Sequence, residues 1–411
     1  MDYTELITKV GLYTGISLLV YFSLIILFFI YVIWCWRLPK GQMRKLPNTM
    51  TIKEWTSFET DILYNEIWGD DNAYAKGGIE FKPNSLIIDA GANIGMFSLF
   101  AAKQCQGKVT ILSFEPIPTT YDVLQTNANI ANDGGYQTIF NPSSGSDVKI
   151  LPFNVGLSDS ASSVIFEHHP NLSIWSTADN QLATGRIARI TEDFVRGARA
   201  SSNPLVWIIP TFLLRTLINA VLVRRFAITT KVPATLVPLS EVLNQYAPNG
   251  IIDLLKVDVE GAEVMVLNGL TDNHWARIRQ VVMEVENFTI LKTITTILES
   301  KGFTVSSVAS EREKNPAATS EVSMVYATRK GLASSSSVNK SKSSPSNIVI
   351  PVPGASNKVI DRVISLYGNN NSNNSTSVDT TSNQEDEELQ TTPVSGSTNK
   401  SVARKRQTRK D

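Results

Sequence analysis

The sequence is short of the residues that build disulfide frameworks and zinc sites. Its 411 residues include two cysteines, Cys35 and Cys105, and three histidines, His168, His169 and His274. Cys35 falls in an apolar N-terminal stretch and Cys105 far along the chain, so no disulfide scaffold is expected and a reducing compartment is the simpler setting. Too few Cys and His remain for a structural zinc, and no metal site is expected. Net charge is missing as well: 38 Lys and Arg balance 38 Asp and Glu. Without a global basic excess, no nucleic-acid partner is expected. The charges are unevenly spread, however, and their local pattern is more informative than their sum.

Three textures follow one another along the chain. Leu12 to Trp36 is a charge-free run of about 25 residues, enough for a helix to cross a hydrocarbon layer of roughly 30 Å. Trp34 and Trp36 close it, and Arg37, Lys40, Arg44 and Lys45 follow, whereas the N-terminal flank has Asp2 and Glu5 against Lys9. Interfacial aromatics and a basic inner flank predict a single-pass membrane protein with everything after Arg37 in the cytosol. A cleaved signal peptide would want a basic start, a shorter apolar run and a small-residue cleavage site. Residues 1–50 are thus expected to be an anchor with a basic juxtamembrane segment, in a membrane whose organelle stays open.

Residues 51–330 alternate apolar runs with helical patterns. Leu86–Asp89, Val109–Glu115, Leu254–Asp258 and Val281–Glu286 read as buried strands, and Thr119–Ala131 and Ala262–Gly269 as helices. That alternation predicts an α/β domain whose parallel, doubly wound sheet is covered on both faces. Residues 331–411 turn to Ser, Asn, Thr, Pro and Lys, with the runs Ser334–Ser337 and Asn369–Asn374, an acidic knot at Glu385–Glu388 and a basic end. Such a stretch cannot bury enough apolar surface to offset its ordering entropy, so a disordered tail is expected.

The densest chemical signal is Leu86-Ile87-Ile88-Asp89-Ala90-Gly91-Ala92-Asn93-Ile94-Gly95. An apolar strand ends in an acid, and spaced glycines then open a helix, the place where doubly wound sheets bind ligands. The loop is not G-x-G-x-x-G, which cradles a pyrophosphate, because Asn93 stands at the second glycine. An acid there repels phosphate and suits an ammonium, as in the amino-acid end of S-adenosylmethionine. Glu115 ends the next strand, about 20 residues beyond the glycines, placed to accept from both ribose hydroxyls. Glycine loop and acid alone leave another adenosine ligand open. A third cluster, Leu255-Lys256-Val257-Asp258-Val259-Glu260-Gly261-Ala262-Glu263, again runs from strand through glycine into helix. Lys256 and Asp258 share a strand face, and Glu263 suits the helix start. Glu284 and Glu286 end the strand Val281–Glu286 on one face, with Asn287 next.

These motifs resemble the FkbM-type S-adenosylmethionine-dependent methyltransferases of the class I, Rossmann-like fold, from about Asn84 to about Arg329. Asp89–Gly95 looks like the family's D-x-G-x-N-x-G loop, with Asp89, Gly91, Asn93 and Gly95 as cofactor ligands. Phe114-Glu115-Pro116 is similar to its F-E-P segment, and Lys256–Glu263 to its K-x-D-x-E-G-x-E block. Glu284–Asn287 resembles its strand-end acid motif. Asn154–Asp159 resembles the strand and turn lining the adenine side, which brings in Gly156, Leu157 and Asp159. The resemblance implies methyl transfer, usually to a hydroxyl oxygen. A carboxylate beside the methyl would orient that hydroxyl or take its proton. Asp258 and Glu260 are the candidates, with Lys256 and Glu284 setting their charge states. His168 and His169 are alternative bases in a loop that is more simply read as solvated.

The chain departs from the family over about 185–234. From Phe194 through Ser240 there is no acid, only Arg196, Arg199, Arg215, Arg224, Arg225 and Lys231. Pro204–Phe226 is nearly all apolar, with Thr211, Arg215 and Asn219 on one helical stripe. A basic, apolar helix reads as a segment lying among lipid headgroups; a buried core helix is the competing reading, and a second span would place Arg215 mid-membrane. The expected partners are a lipid bilayer and a small-molecule or lipid acceptor: a lipid, an isoprenoid or a glycan. A nucleotide-dependent oxidoreductase, or a non-catalytic membrane scaffold retaining the fold, are the alternatives.

Overall fold

A computed structural model describes residues 3–35, 41–70, 72–141, 145, 147–170, 191–192, 194–199, 207, 209–226, 229–285, 288–308 and 323–329. All belong to one compact unit, Met1–Asn370. The proposed tail, and Glu286 and Asn287, lie outside the described residues.

The first element is a helix over Tyr3–Cys35. Its Tyr3–Leu27 portion is the one described helix long and apolar enough to cross a membrane. Two short strands, β1 (Met43–Lys45) and β2 (Thr51–Lys53), pair antiparallel. A helix over Ser57–Trp68 follows. It begins at Thr56 because of a reciprocal cap: the Thr56 hydroxyl accepts from the Glu59 N–H at 3.3 Å and donates to the Glu59 carboxylate at 2.8 Å.

Seven strands form the central sheet, in the order β11-β12-β10-β9-β3-β4-β5. They are β3 (Ser85–Ala90), β4 (Lys108–Phe114), β5 (Asp147–Phe153), β9 (Leu254–Val257), β10 (Gln280–Val285), β11 (Thr304–Val308) and β12 (Ser323–Thr328). β5, β4, β3, β9 and β10 are parallel neighbours. The period of two along β3 divides its residues between two cores, one on each face of the sheet. Leu86, Ile88 and Ala90 join Leu112, Phe114, Leu255 and Val257 on one face, and Ile87 joins Ile111, Ile150, Leu254 and Val282 on the other. Cys105 is buried in the second core, and burial pushes its thiol up to about 12, so it packs as an inert apolar group.

The sheet is parallel from β5 to β10, as expected, and mixed at its other edge. β12 runs antiparallel to both β10 and β11. β12 follows β11 after a connection without a described crossover helix, and strands joined in that way pair antiparallel, whereas the parallel pairs need a crossover. A second, three-stranded sheet, β6-β8-β7, is also present: β6 (Gly156–Ser158), β7 (Ser162–His168) and β8 (Thr230–Pro238).

β3 connects onward to β4 on one side, while its other neighbour, β9, comes from much later in the chain. The strand order therefore reverses beside β3, and the carboxyl ends of β3 and β9 flank the crevice where such sheets take ligands.

Candidate functional site

A small cleft opens at that reversal, lined by Leu63, Glu66, Ile67, Tyr74, Gly91, Ala92, Asn93, Met96, Phe97, Lys256 and Asp258. The loop after β3 forms its floor. The N–H groups of Gly91 and Ala92 both donate to the Phe114 carbonyl, at 3.1 and 2.9 Å, and the Asp258 N–H donates to the Ala90 carbonyl at 3.1 Å. These bonds lock the ends of β3, β4 and β9 together. Gly91 is required here: its φ is +77°, and a Cβ would stand 1.7 Å from the Asp258 carbonyl oxygen. Asn93 also takes a left-handed backbone, at φ 49°, and its side chain accepts from the Ile94 N–H at 2.7 Å. Buried Asn127 braces the loop from behind by donating to the Ile94 carbonyl at 2.8 Å.

Lys256 is 3% exposed. Its ammonium donates to the Gly91 and Ala90 carbonyls at 2.8 and 3.3 Å and pairs with Asp89 at 3.2 Å and Asp258 at 3.3 Å. Desolvation alone would lower its pKa. The charges and hydrogen bonds of Asp258 and Asp89 outweigh that and raise it, so the ammonium stays charged. Asp89 is completely buried. One of its oxygens accepts from the Ser98 hydroxyl at 2.6 Å, and Ser113 stands 2.8 Å beyond Ser98. Sequence reading aims Asp89 at a ligand; the structure turns its carboxylate inward, because the apolar strand places it on the sheet's packed face above Ser98. Asp89 thus reaches the cleft through Lys256 and the loop.

Two residues without a sequence signature complete the wall. Asn72 begins a short 3-10 turn over Ala73–Ala75, and its side-chain Oδ1 accepts from the Tyr74 N–H at 2.7 Å. Tyr326, on β12, donates to the Ala73 carbonyl at 2.7 Å. The turn so fixed points the Tyr74 hydroxyl between Asp258 Oδ2, at 3.1 Å, and Glu284 Oε2, at 3.2 Å. Desolvation, then the charges of Asp258, Glu284 and Glu66, push the phenol well above its ordinary value, and it remains a neutral donor. The Glu284 carboxyl is also raised, first by desolvation and then by Asp258 and Glu66, against Tyr74 and Lys256. Glu66, from the helix Ser57–Trp68, keeps exposed surface. Its carboxyl is pushed upward by desolvation and by Asp258, to a degree limited by that contact with solvent. Local residue patterning could not flag Tyr74 or Glu66, which lie some 180 to 220 residues from their partners.

Glu115, just past β4, is 7% exposed. Its two oxygens accept from the Asn93 and Ile117 N–H groups, both at 3.0 Å. Desolvation pushes its carboxyl up to about 7 against those two bonds and Lys256. The Asn154 side chain donates to the Glu115 and Pro116 carbonyls at 2.9 and 3.2 Å, which sets the turn. Gly156 packs against Pro116, and Leu157 is buried in the core. Asp159 is exposed beyond β6. None of these three lines the cleft. Gly95 begins the helix Met96–Gln104. Glu260 stands outside the cleft on the turn after β9, with φ 54°.

His168 ends β7 and, like His169, is buried, with Thr119 Oγ 3.3 Å from His168 Nε2. The expectation of a solvated loop is corrected: pairing of β7 with β8 in a second sheet draws the histidines inward, and neither lines the cleft. In the insertion, Thr211–Phe226 is a helix whose Leu214, Leu217 and Leu222 are buried. Its polar stripe meets protein: Thr211 accepts from Arg199 at 3.0 Å, Arg215 donates to Glu192 at 2.9 Å, and Asn219 accepts from Thr191 at 3.3 Å. Leu214, Leu217 and Leu222 are therefore covered by protein, while Phe212 and Trp207 are 69% and 62% exposed.

The arrangement suits a cation. Among the described residues its one lining ammonium, Lys256, is held by two carboxylates and two carbonyls, and Asp258 and Glu66 face the space. A pyrophosphate would meet carboxylates there, whereas a sulfonium or ammonium finds favourable charge.

The family model for the methyltransferase FkbM domain matches residues 89–305. Methyltransferase sdnD of Sordaria araneosa is 34% identical over 282 residues, covering 67% of this chain and 92% of that protein. The 31-O-demethyl-FK506 methyltransferase FkbM of Streptomyces tacrolimicus is 30% identical over 264 residues, covering 64% and 88%. Among solved structures, the methyltransferase FkbM of Methylobacillus flagellatus matches with TM-score 0.34 at 11% identity, over 64% of this chain and 47% of that one.

Proposed function

The chain belongs to the FkbM methyltransferase family, and from that premise we propose that it methylates a hydroxyl oxygen on a membrane-proximal acceptor. The acceptor is a lipid, an isoprenoid or a glycan, and the methyl donor is S-adenosylmethionine. The observation that carries this reading is the cleft at the β3/β9 reversal, walled by carboxylates and short of free cations.

The residues present fit that donor. The loop Gly91–Asn93 lets backbone approach the ligand, Asn93 and Gly95 hold the loop's shape, and Glu115, which holds the Asn93 N–H behind the cleft, is assigned to accept from ribose hydroxyls. Gly156, packed against Pro116, and its neighbours Leu157 and Asp159 are assigned to the adenine side, and Asp89 acts by holding Lys256. Bound there, S-adenosylmethionine supplies an electrophilic methyl group. Asp258 accepts the hydrogen of the acceptor hydroxyl and orients its oxygen, a general-base role typically worth 10²–10⁴-fold. Lys256 holds the Asp258 carboxylate in an ion pair at 3.3 Å, Glu284 flanks the same Tyr74 hydroxyl, and Glu260, on the turn after β9, is the other candidate carboxylate for this role. The relative named for 31-O-demethyl-FK506 supports oxygen as the acceptor atom.

The N-terminal helix, long and apolar enough to cross a membrane, supports an anchored enzyme with its catalytic domain, residues 51–330, in the cytosol. Exposed Trp207 and Phe212 are suited to dip into headgroups beside it.

Isothermal calorimetry tests the donor. S-adenosylmethionine should bind and NAD should not. Glu115→Ala should weaken binding about ten- to a hundred-fold, for loss of a charge-assisted hydrogen bond. Binding of NAD in preference, or equal affinity in Glu115→Ala, would sink the assignment.

A further inference from the structure

A phenol has one proton to donate, yet the Tyr74 hydroxyl stands 3.1 Å from Asp258 Oδ2 and 3.2 Å from Glu284 Oε2. It can donate to one of them only. The other contact is a hydrogen bond only if that carboxyl carries a proton and donates to the phenol oxygen. We propose that Tyr74 is a positioning residue, which accepts from a neutral Glu284 and donates to an ionised Asp258. This rests on the reading of Asp258 as the group that receives the acceptor's proton.

The surroundings fix the polarity. Asp258 faces the Lys256 ammonium at 3.3 Å, whereas Glu284 makes no ion pair among the described residues, and a carboxylate without a cation is the one that keeps its proton. The other charged groups facing Asp258 are Glu66, from the helix Ser57–Trp68, and Asp89, behind Lys256. Both are acidic and favour one proton shared within the group. The upward push on Glu284 agrees with this. Tyr74 is rigidly held: it is 1% exposed, its ring meets Phe97 edge-on at 5.3 Å, and its turn is tied down by Asn72 and Tyr326. Such a phenol fixes the Asp258 carboxylate at one angle to the cleft, which is the preorganisation that a general base needs.

The test uses the full chain in detergent micelles, with methyl-tritiated S-adenosylmethionine and membrane extract as the source of acceptor. Tyr74→Phe removes a hydrogen bond to a charged group. Label transfer should fall about ten- to a hundred-fold near neutral pH, and the acid limb of its pH profile should move up by roughly one to two pH units. Affinity for S-adenosylmethionine should hardly change. Glu284→Gln, which keeps an N–H to donate to Tyr74, should retain more transfer than Glu284→Leu. Infrared difference spectra at neutral pH should show a protonated-carboxyl band lost in Glu284→Gln and shifted in Tyr74→Phe. An unmoved acid limb in Tyr74→Phe overturns the proposal, as does a Glu284→Gln variant that loses no such band. Should wild type bind no S-adenosylmethionine, the proposed function fails, and the infrared bands alone still decide whether Glu284 is the neutral partner of Tyr74.

Discussion

Replacing Lys256 by methionine exposes how the centre of the site is balanced. The ammonium, 3% exposed, compensates the fully buried Asp89, whose only other polar partner among the described residues is the Ser98 hydroxyl. Methionine fills the volume but leaves Asp89 as an unpaired buried charge, at a cost of about 3–5 kcal/mol. For a domain of this size each kcal/mol is worth roughly 2–4 °C, so the melting temperature should fall by roughly 6–20 °C. The second variant carries the argument. In Lys256→Met/Asp89→Asn the orphan charge is gone and the amide can still accept from Ser98, so most of the lost stability should return. Melts of the full chain in micelles, for wild type, both single variants and the double variant, give the coupling between the two sites. A double variant no more stable than Lys256→Met alone would refute the claim that Asp89 is held by Lys256.

Glu115 gives a pH signature of its own. Its folded pKa of about 7 lies above the unfolded value of 4.5, so without ligand the stability it contributes is full below about pH 4.5 and is lost as pH rises through about 7, roughly 3 kcal/mol in all. Affinity for S-adenosylmethionine runs the other way, since the ionised carboxylate accepts the ribose hydroxyls: calorimetry should find it roughly ten-fold weaker at about pH 6 than on its plateau, and Glu115→Gln should flatten the curve. Gly91→Ala should abolish cofactor binding, because the methyl would stand 1.7 Å from the Asp258 carbonyl oxygen; binding within ten-fold of wild type would refute the loop's close approach. A cytosolic domain leaves its sequons, those at Asn171, Asn287, Asn370 and Asn374 among them, without glycans, so a mobility shift on glycosidase treatment would reverse the proposed orientation.

Four of the five parallel strands, all but β5, were legible because each is a short apolar run ending in an acid. Leu86–Asp89 and Leu254–Asp258 match β3 and β9 to within a residue or two. Local pattern also put Lys256 and Asp258 on one face, and the ammonium does bridge to that carboxylate. Pairing between distant segments was not legible. The antiparallel insertion of β12 beside β10 depends on contacts some 45 residues apart, and Tyr74 meets Glu284 across 210 residues. Asp89 marks the boundary. Its position at a strand end was readable, but whether its carboxylate faced the cleft or Ser98 depended on which sheet face the following helix covered. In the insertion, the leucine stripe could have served a membrane or a core, and the polar partners Glu192, Thr191 and Arg199 decide for the protein.

The most direct test of the account follows the methyl group. Full-length protein, incubated with methyl-tritiated S-adenosylmethionine and membrane extract, should pass label into an extractable acceptor that resists mild base as an ether does. Asp258→Asn, folded by its melt and still binding the cofactor, should transfer label 10²–10⁴-fold more slowly. Equal transfer by wild type and Asp258→Asn would contradict the assignment of the reacting centre to this cleft.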